Sequence, residues 1–212
     1  MVEEALVFWV GAAIFGFTSL MFAALEKRGH GGEMVFGSNI FVSFITTISY
    51  VVMALALGTT IAENGQPIYW TRWLFYIASC SILTLDIAFI ARKPASKKVE
   101  VALFTGLTMF CGFLASIIVT ADRWWFFALS TAAYFGVLYT LSKRLGDESV
   151  NVTSIMWFVM VTWSLFPVVW VLAPTGFGVL TTFVEAILYL ALDLITKVAF
   201  GLYISARQDI GK

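Results

Sequence analysis

Lys197 and Asp193 lie one helical turn apart in an uninterrupted apolar run, ILYLALDLITKVAFGLYI, where charged residues are rare. A lysine in hydrocarbon costs about 2.5–3.5 kcal/mol on insertion scales, so its side chain needs a compensating interaction. At i,i+4 spacing the carboxylate and the amine share one helix face. An amine in a dry apolar site also loses its proton easily and can form a Schiff base with an aldehyde. The pair therefore indicates either a structural ion pair or a covalent attachment site.

A second polar stripe follows the third apolar segment. Asp86 comes 14 residues after Arg72, which places the two about 21 Å apart along a helix axis. The same face continues through Phe75 or Tyr76, Ser79 and Leu83. Polar groups along an inward helix face typically mark an ion or proton path.

Simpler interpretations of these ionisable residues remain open. Arg72 could extend to the outer membrane interface, and Asp86 could be an interfacial acid beside Arg92 and Lys93. Glu185, in the seventh apolar segment, could be an outer-end residue in contact with solvent. Each alternative predicts an exposed side chain, whereas a proton path requires buried ones.

The run WSLFPVVW, from Trp163 to Trp170, carries an aromatic stripe. Trp163, Phe166 and Trp170 are spaced by three and then four residues, and Pro167 kinks the helix because it lacks a backbone N–H. An isolated stripe of this kind more often packs against neighbours or faces lipid. Beside a lysine on the next helix, it indicates the wall of a slot for a flat, apolar ligand.

The composition determines where these elements lie. The chain has 212 residues, of which 60% are hydrophobic and 12% charged, with a mean hydropathy of +0.92. These values indicate a polytopic membrane protein, and a formal net charge of zero gives no support for nucleic-acid binding. Cys80 and Cys111 fall inside apolar segments and are interpreted as small hydrophobic residues, so no disulfide or metal site is predicted. His30 lies in a polar loop, and the acidic start MVEEALVFWV indicates a first span rather than a cleaved signal.

Apolar segments of about 20 residues or more recur seven times. They lie near residues 3–25, 36–58, 70–92, 99–120, 124–143, 152–173 and 178–204. The breaks between them are short, so consecutive helices should be antiparallel neighbours. We therefore expect one all-α domain over residues 1–212, a seven-transmembrane-helix bundle.

Basic residues predict the orientation of this bundle, because they concentrate on the cytoplasmic side. Arg72 and Arg123 fall on one side of the seven spans. Ten others fall on the opposite side: Lys27, Arg28, Arg92, Lys93, Lys97, Lys98, Lys143, Arg144, Arg207 and Lys212. The N-terminus is thus predicted outside and the C-terminus in the cytoplasm.

Taken together, these residues resemble the microbial rhodopsins, seven-helix proteins that bind retinal. The run DLITKVAFG, from Asp193 to Gly201, is similar to the family's last-helix motif, in which the lysine forms the retinal Schiff base. The sixth-helix motif is matched by Trp163, Phe166, Pro167 and Trp170, although the family usually has tyrosine before the proline. Arg123 and the run STAA, which starts at Ser130, resemble the start of the fifth helix.

The resemblance implies all-trans retinal bound covalently to Lys197. It also implies a multi-pass protein of a prokaryotic plasma membrane, a homotrimer in the lipid bilayer, and a transporter or photoreceptor rather than an enzyme. Tyr50 is placed like a family tyrosine near the seventh-helix aspartate, so its hydroxyl is expected to hydrogen-bond Asp193. The pocket residues implied by the family, with Phe127 standing where many relatives have tryptophan, are Tyr76, Ser79, Cys80, Leu83, Phe127, Ser130, Trp163, Phe166, Pro167 and Trp170.

One departure from the family pattern bears on the direction of transport. Outward proton pumps of the family carry an aspartate three residues after the third-helix arginine, where this chain has Phe75. The third-helix triplet Phe75, Ser79 and Asp86 resembles the schizorhodopsins and the related Antarctic rhodopsins, which are light-driven inward proton pumps. Schizorhodopsins typically have glutamate at the third position, so aspartate is more similar to the Antarctic branch, and Cys80 also fits this group.

These residues suggest a mechanism. With Phe75 in place, Asp193 is the expected counterion, because a neighbouring anion favours the protonated imine, and Arg72 offsets part of its charge. Phenylalanine cannot accept a proton, so the proton is expected to leave inward with the help of Asp86. Reprotonation then comes from outside, past Asp193 and Glu185, and protons are the only transported substrate.

Three rivals remain at this stage. The first is a photosensory rhodopsin that signals to a separate transducer. The second is an outward or anion pump, although Phe75 offers an anion nothing to bind. The third is a transporter without photoactivity, in which Lys197 and Asp193 form a structural pair.

Overall fold

The seven helices of the protein match the predicted all-α bundle. The computed structural model describes residues 2–27, 33–142 and 150–206, and within these ranges seven helical segments are long and apolar enough to cross a membrane. The helices are α1 (Val2–Lys27), α2 (Glu33–Ala54), α3 (Thr71–Ile90), α4 (Ala95–Ile117), α5 (Arg123–Ser142), α6 (Val150–Leu172) and α7 (Thr182–Asp193), which continues as a π-helix (Leu194–Ala199) and α8 (Phe200–Ala206). The seventh span, Thr182–Ile204, therefore combines three consecutive helical segments.

Several residues used to predict the orientation lie outside the described ranges. They are Arg28, Lys143, Arg144, Arg207 and Lys212, and His30 is outside as well. The sidedness of the bundle therefore stays a prediction that rests on the distribution of basic residues.

The predicted second span is too long at its C-terminal end. Residues 55–58 continue the apolar pattern, but α2 ends at Ala54 because Ala56 and Gly58 adopt positive φ angles of 53° and 69°. An antiparallel hairpin follows, with β1 (Thr59–Ile61) paired to β2 (Pro67–Tyr69) so that Thr60 faces Ile68. The turn of this hairpin contains Gly65 at φ 80°, a conformation that glycine adopts without steric cost.

Two other predicted boundaries also move. The fourth helix begins at Ala95 rather than near residue 99, because Pro94 takes an extended conformation that suits the residue before a first helical turn. The seventh span begins at Thr182 rather than near 178. Gly178 has a φ angle of 67°, and the Thr181 hydroxyl caps the new helix by accepting a bond from the Val184 N–H.

The helices pack mainly against their neighbours in sequence, and α1 also packs against α7, so the bundle closes on itself. Large apolar side chains such as Leu6, Phe17, Leu103 and Trp157 are exposed on the outside, as in proteins whose surface faces lipid. Aromatic residues and most polar side chains of the spans lie inside. The interior of the bundle is consequently where the chemically active side chains meet.

The π-helix carries Lys197. Its backbone hydrogen bonds span one residue more than those of an α-helix, as when the Phe200 N–H bonds to the Ile195 carbonyl five residues earlier. This extra residue per turn rotates the following side chains relative to a regular helix, and such segments recur at functional sites. Asp193, the last α-helical residue, and Lys197 both remain buried.

Candidate functional site

A cavity lies inside the bundle between α3, α4, α5, α6 and the π-helix. Lys197 contributes an amine to a lining made mostly of aromatic and aliphatic side chains. The lining consists of Trp73, Tyr76, Cys80, Leu83, Thr108, Met109, Gly112, Phe127, Ser130, Thr131, Tyr134, Trp163, Phe166, Pro167, Trp170, Thr196 and Lys197. A mainly apolar space with a few placed polar groups is typical of a small-molecule site.

The predicted pocket residues line this cavity with one exception. Ser79 is buried but is absent from the lining, and its hydroxyl donates a hydrogen bond to the Phe75 carbonyl at 3.2 Å. Serine commonly bonds back to its own helix in this way.

The sequence analysis missed several lining residues. Tyr134 follows Ser130 by four residues and Phe127 by seven, so helical periodicity on α5 could have identified it. Thr108 and Gly112 have the same four-residue spacing on α4, but no polar or aromatic pattern distinguishes that face from the others.

Asp193 is the centre of the charged part of the site. It is fully buried and contacts the Lys197 amine as an ion pair. The Tyr50 hydroxyl donates to one carboxylate oxygen at 2.8 Å, as predicted, and the Tyr76 hydroxyl lies 2.8 Å from both oxygens. An Arg72 nitrogen lies 3.8 Å from the carboxylate. This surrounding of donors and cations stabilises the ionised carboxylate.

The sequence predicted Tyr76 as a pocket residue but did not predict its hydrogen bond to Asp193. The signal available in the sequence is its position one turn after Arg72 on the same helix face. Tyr76 is buried, whereas Phe75 is half-buried and outside the cavity lining. Of the two residues considered for this face, the structure places Tyr76 at the site.

Arg72 lies inside the bundle rather than at the membrane surface, since only 3% of it is exposed. Its guanidinium carbon is 4.4 Å from the centre of the Tyr189 ring and 5.7 Å from that of Tyr50, so the charge lies against aromatic faces. One of its terminal nitrogens makes no hydrogen bond to the described residues. The cation therefore acts on Asp193 mainly through its charge.

The aromatic stripe of α6 faces the cavity rather than the lipid. Trp170 is buried, stacks on Phe127 with ring centres 4.6 Å apart, and donates its indole N–H to the Ser116 hydroxyl at 3.0 Å. Phe166 packs its ring 5.9 Å from that of Tyr76. These contacts hold flat rings as walls of the cavity, which also contains Pro167.

Asp86 lies toward the opposite end of α3 from Arg72 and is also buried. The Ser38 hydroxyl, on α2, donates a hydrogen bond to the Asp86 carboxylate at 2.9 Å. The acid is thus held between two helices rather than exposed beside the loop cations Arg92 and Lys93.

Glu185 is buried as well, with 8% of the residue exposed. One of its carboxylate oxygens has no hydrogen-bond partner among the described residues, and it interacts electrostatically with Arg72. One side of the seventh span carries a polar residue at every fourth position: Glu185, Tyr189, Asp193 and Lys197.

Comparison with known proteins agrees with this geometry. Residues 3–208 match the family described as bacteriorhodopsin-like protein. The chain is 30% identical to a bacteriorhodopsin of Haloterrigena sp. (strain arg-4), over 98% of this chain and 89% of that one. It is 26% identical to sensory rhodopsin-2 of Natronomonas pharaonis, over 95% of this chain and 87% of that one.

Solved structures give the same result. The crystal structure of schizorhodopsin 4 superposes with a TM-score of 0.90 and 37% identity, and covers 96% of this chain and 99% of that one. The thermophilic rhodopsin from Rubrobacter xylanophilus superposes with a TM-score of 0.88 and 30% identity, over 98% of this chain and 97% of that one.

Proposed function

The chain belongs to the bacteriorhodopsin-like family, the microbial rhodopsins, and on this premise we propose that it is a light-driven pump that carries protons into the cell. Members of the family are light-driven ion pumps or photosensors of cell membranes, not enzymes. Membership thus confirms the predicted family, while the direction of transport and the residue roles below belong to the proposal.

The site fits retinal. The lining of the cavity is mainly apolar and includes the rings of Trp163, Phe166 and Trp170, which suit a flat polyene. The Lys197 amine lies in the same lining. When bound as an imine on Lys197, retinal supplies the light absorption, the isomerisation and a proton at the lysine nitrogen. A buried lysine beside an acid is suited to this chemistry because its amine is held in place and shielded from water.

Asp193 serves as the counterion in this proposal. Its carboxylate contacts the lysine nitrogen, and hydrogen bonds from Tyr50 and Tyr76 together with the Arg72 charge keep it ionised and fixed. Both carboxylate oxygens already accept hydrogen bonds from the two tyrosines, so Asp193 is proposed as the counterion and not as the group that carries the proton onward. The proton held near Lys197 therefore needs another destination.

The observation that carries the direction is the side chain at position 75. Phe75 has no group that can accept a proton, and Tyr76 beside it already donates to Asp193. Toward the other end of α3, Asp86 is a buried carboxylate that accepts a hydrogen bond from the Ser38 hydroxyl. The proton is proposed to leave Lys197 toward Asp86 and the cytoplasm, and Glu185 lies on the return path from outside.

The similarity to schizorhodopsin 4 and the triplet Phe75, Ser79 and Asp86 support the same direction. Family resemblance also supports a homotrimer in the bilayer, which a mass measurement of the protein in nanodiscs tests.

A pH electrode tests the function directly. Cells that express the protein with added all-trans retinal are illuminated, and we expect the medium to become alkaline, with the change abolished by a protonophore. A Lys197→Ala variant is the matched control, since it cannot bind retinal covalently. Acidification of the medium would show that the direction is wrong.

The same measurement distinguishes a proton pump from a photosensory rhodopsin. The similarity to sensory rhodopsin-2 is the reason to consider this alternative. A coloured protein that produces no pH change and recovers slowly after a flash would favour signalling over transport.

A further inference from the structure

The side chain of Tyr50, which donates a hydrogen bond to Asp193, lies against one face of α1. Phe8 and Phe15 of α1 are fully buried and pack on the Tyr50 ring, with ring centres 6.2 and 5.6 Å away. Gly11 lies between them, three residues after Phe8 and four before Phe15, so the three share one helix face. The two rings and the glycine therefore form a slot in α1 that holds the Tyr50 ring.

The Tyr50 ring lies directly over the backbone of Gly11. A Cβ atom at position 11 would lie 2.6 Å from Cε1 of Tyr50 and closer still to Cδ1. Non-bonded carbon atoms pack about 3.5–4.0 Å apart, so a methyl group here would have to displace the ring by about 1 Å. Glycine in the middle of a helix is otherwise unfavourable compared with alanine. The contact with Tyr50 is therefore a physical reason for glycine at this position.

The ring of Tyr50 has little room to move. Only 1% of Tyr50 is exposed, its hydroxyl donates to Asp193 at 2.8 Å, and the Arg72 guanidinium carbon lies 5.7 Å from its ring centre. The same guanidinium carbon lies 5.9 Å from the ring centre of Phe8. Because O–H···O bonds span only about 2.5–3.0 Å, a ring displaced by about 1 Å would not keep both its packing and its bond to Asp193.

We propose that Gly11 is a positioning residue of the site, because the missing side chain at this point of α1 sets where the Tyr50 hydroxyl meets Asp193. The inference deepens the proposed function and rests on the role of Asp193 as the counterion. The cavity lining comes from α3, α4, α5, α6 and the π-helix, so α1 acts on the site from outside it. Through the slot, α1 determines the hydrogen bonding of the carboxylate that pairs with Lys197.

Infrared spectra of the pigment-free protein in nanodiscs test this role without light or retinal. The carboxylate band of Asp193 is identified with isotope-labelled aspartate and by its loss in Asp193→Asn. In Gly11→Ala we expect this band to shift in the same direction as in Tyr50→Phe, because both variants weaken or remove the same hydrogen bond. Thermal unfolding is measured in parallel. A less stable Gly11→Ala protein with an unshifted band would show that Gly11 serves packing alone.

Gly16→Ala is the matched control, since it changes a second glycine of the same helix. A Cβ atom at position 16 would lie 3.7 Å from Thr47, which is an ordinary contact distance. The Asp193 band and the visible absorption maximum of the retinal-loaded protein should both match wild type in this variant. In Gly11→Ala the absorption maximum should shift in the same direction as in Tyr50→Phe. Equal shifts in the two glycine variants would contradict a specific role for Gly11.

A double variant tests whether Gly11 acts through the Tyr50 hydroxyl. Adding Gly11→Ala to Tyr50→Phe should shift the Asp193 band no further than Tyr50→Phe alone, because the hydroxyl is already gone. A further shift would mean that the proposed route is wrong.

A second pair of variants applies if Gly11→Ala does not fold. Tyr50→Ala removes the ring that occupies the space over Gly11, so Gly11→Ala combined with Tyr50→Ala should fold with the same yield as Tyr50→Ala alone. No recovery of folding in the double variant would contradict the contact between Gly11 and Tyr50.

The proposals can fail separately. If illuminated cells acidify the medium, the inward function fails, whereas the spectra of the glycine variants do not depend on direction. If Asp193→Asn has a wild-type visible spectrum, the counterion assignment fails. If Asp193→Asn alters the pigment as expected and Gly11→Ala matches Gly16→Ala, only the role of Gly11 fails.

Discussion

At the scale of single residues, Asp193 connects most of the site. It accepts hydrogen bonds from Tyr50 and Tyr76, pairs with Lys197 and lies within range of Arg72. The buried charges of Lys197 and Arg72 are therefore both compensated by the Asp193 carboxylate. A buried charge without such compensation is strongly destabilising. Changes at this position should consequently have larger effects than changes at any one of its partners.

Replacing Asp193 by asparagine removes the negative charge but keeps the shape of the side chain. We expect a strongly shifted visible absorption or no stable pigment, because the protonated imine on Lys197 loses its counterion. Asp122→Asn, at an exposed acid in the turn before α5, is the control. A wild-type spectrum in Asp193→Asn would rule out the counterion assignment.

Tyr76→Phe keeps the ring that packs against Phe166 but removes the hydroxyl that donates to Asp193. A hydrogen bond to a charged group contributes about 1.5–3 kcal/mol, so stability should fall by an amount in that range. The absorption maximum should shift by less than in Asp193→Asn. Thermal unfolding and visible spectra measure the two effects, and the exposed Tyr139→Phe should leave both unchanged.

Asp86→Asn tests the inner side of the path. The pigment should form normally, since Asp86 is absent from the lining of the cavity, but inward flux should fall by about tenfold or more. Initial rates of light-induced pH change, normalised to pigment, provide the measurement. Unchanged flux would mean that protons leave by a route that does not involve Asp86.

At the scale of secondary-structure elements, hydrogen bonds of the Gln66 and Thr182 side chains attach the short hairpin to the start of the seventh span. The Gln66 side-chain oxygen accepts from the Thr182 N–H at 2.7 Å, and the Thr182 hydroxyl donates to the Pro67 carbonyl at 2.9 Å. These bonds satisfy a backbone N–H at the start of α7, where helices lack internal partners. They also hold the start of β2 against the start of α7.

Gln66→Ala should therefore weaken the attachment of the hairpin to α7, while the bond from the Thr182 hydroxyl to the Pro67 carbonyl remains. We expect faster hydrogen exchange over residues 59–69 and a loss of about 1–3 kcal/mol in stability, since the Thr182 N–H loses its partner. Glu63→Gln, on the same hairpin but exposed, should exchange at the wild-type rate. Equal exchange in both variants would show that Gln66 does not anchor the hairpin.

At the scale of the whole molecule, the sidedness of the bundle converts proton movement along the path into transport in a defined direction. The distribution of basic residues predicts that the hairpin lies outside and the turn between α3 and α4 lies in the cytoplasm. The proposed inward direction depends on this predicted orientation.

Cysteine labelling checks the orientation, because the two native cysteines are buried. Glu63→Cys, in the hairpin, should react with a membrane-impermeant maleimide in intact cells. Ser96→Cys, at the exposed start of α4, should react only after the membrane is opened. The opposite pattern would invert the bundle and reverse the predicted direction of transport.

The sequence by itself determined the seven spans, the Lys197–Asp193 pair and the aromatic stripe of α6. These features are local, because apolar length and helical periodicity place residues on a face without reference to the rest of the chain. The hairpin was missed because its strands have three residues each and are defined by their pairing, and the π-helix has no comparable signature in the sequence.

Only the tertiary structure decided which side chains meet. Tyr76 rather than Phe75 contacts Asp193, the Ser79 hydroxyl bonds to its own helix, and Ser38 donates a hydrogen bond to Asp86. The two tyrosines that donate hydrogen bonds to Asp193, Tyr76 and Tyr50, are 117 and 143 residues away from it in the chain. Such contacts depend on how each helix is rotated against its neighbours, and that rotation is fixed only when all seven pack together.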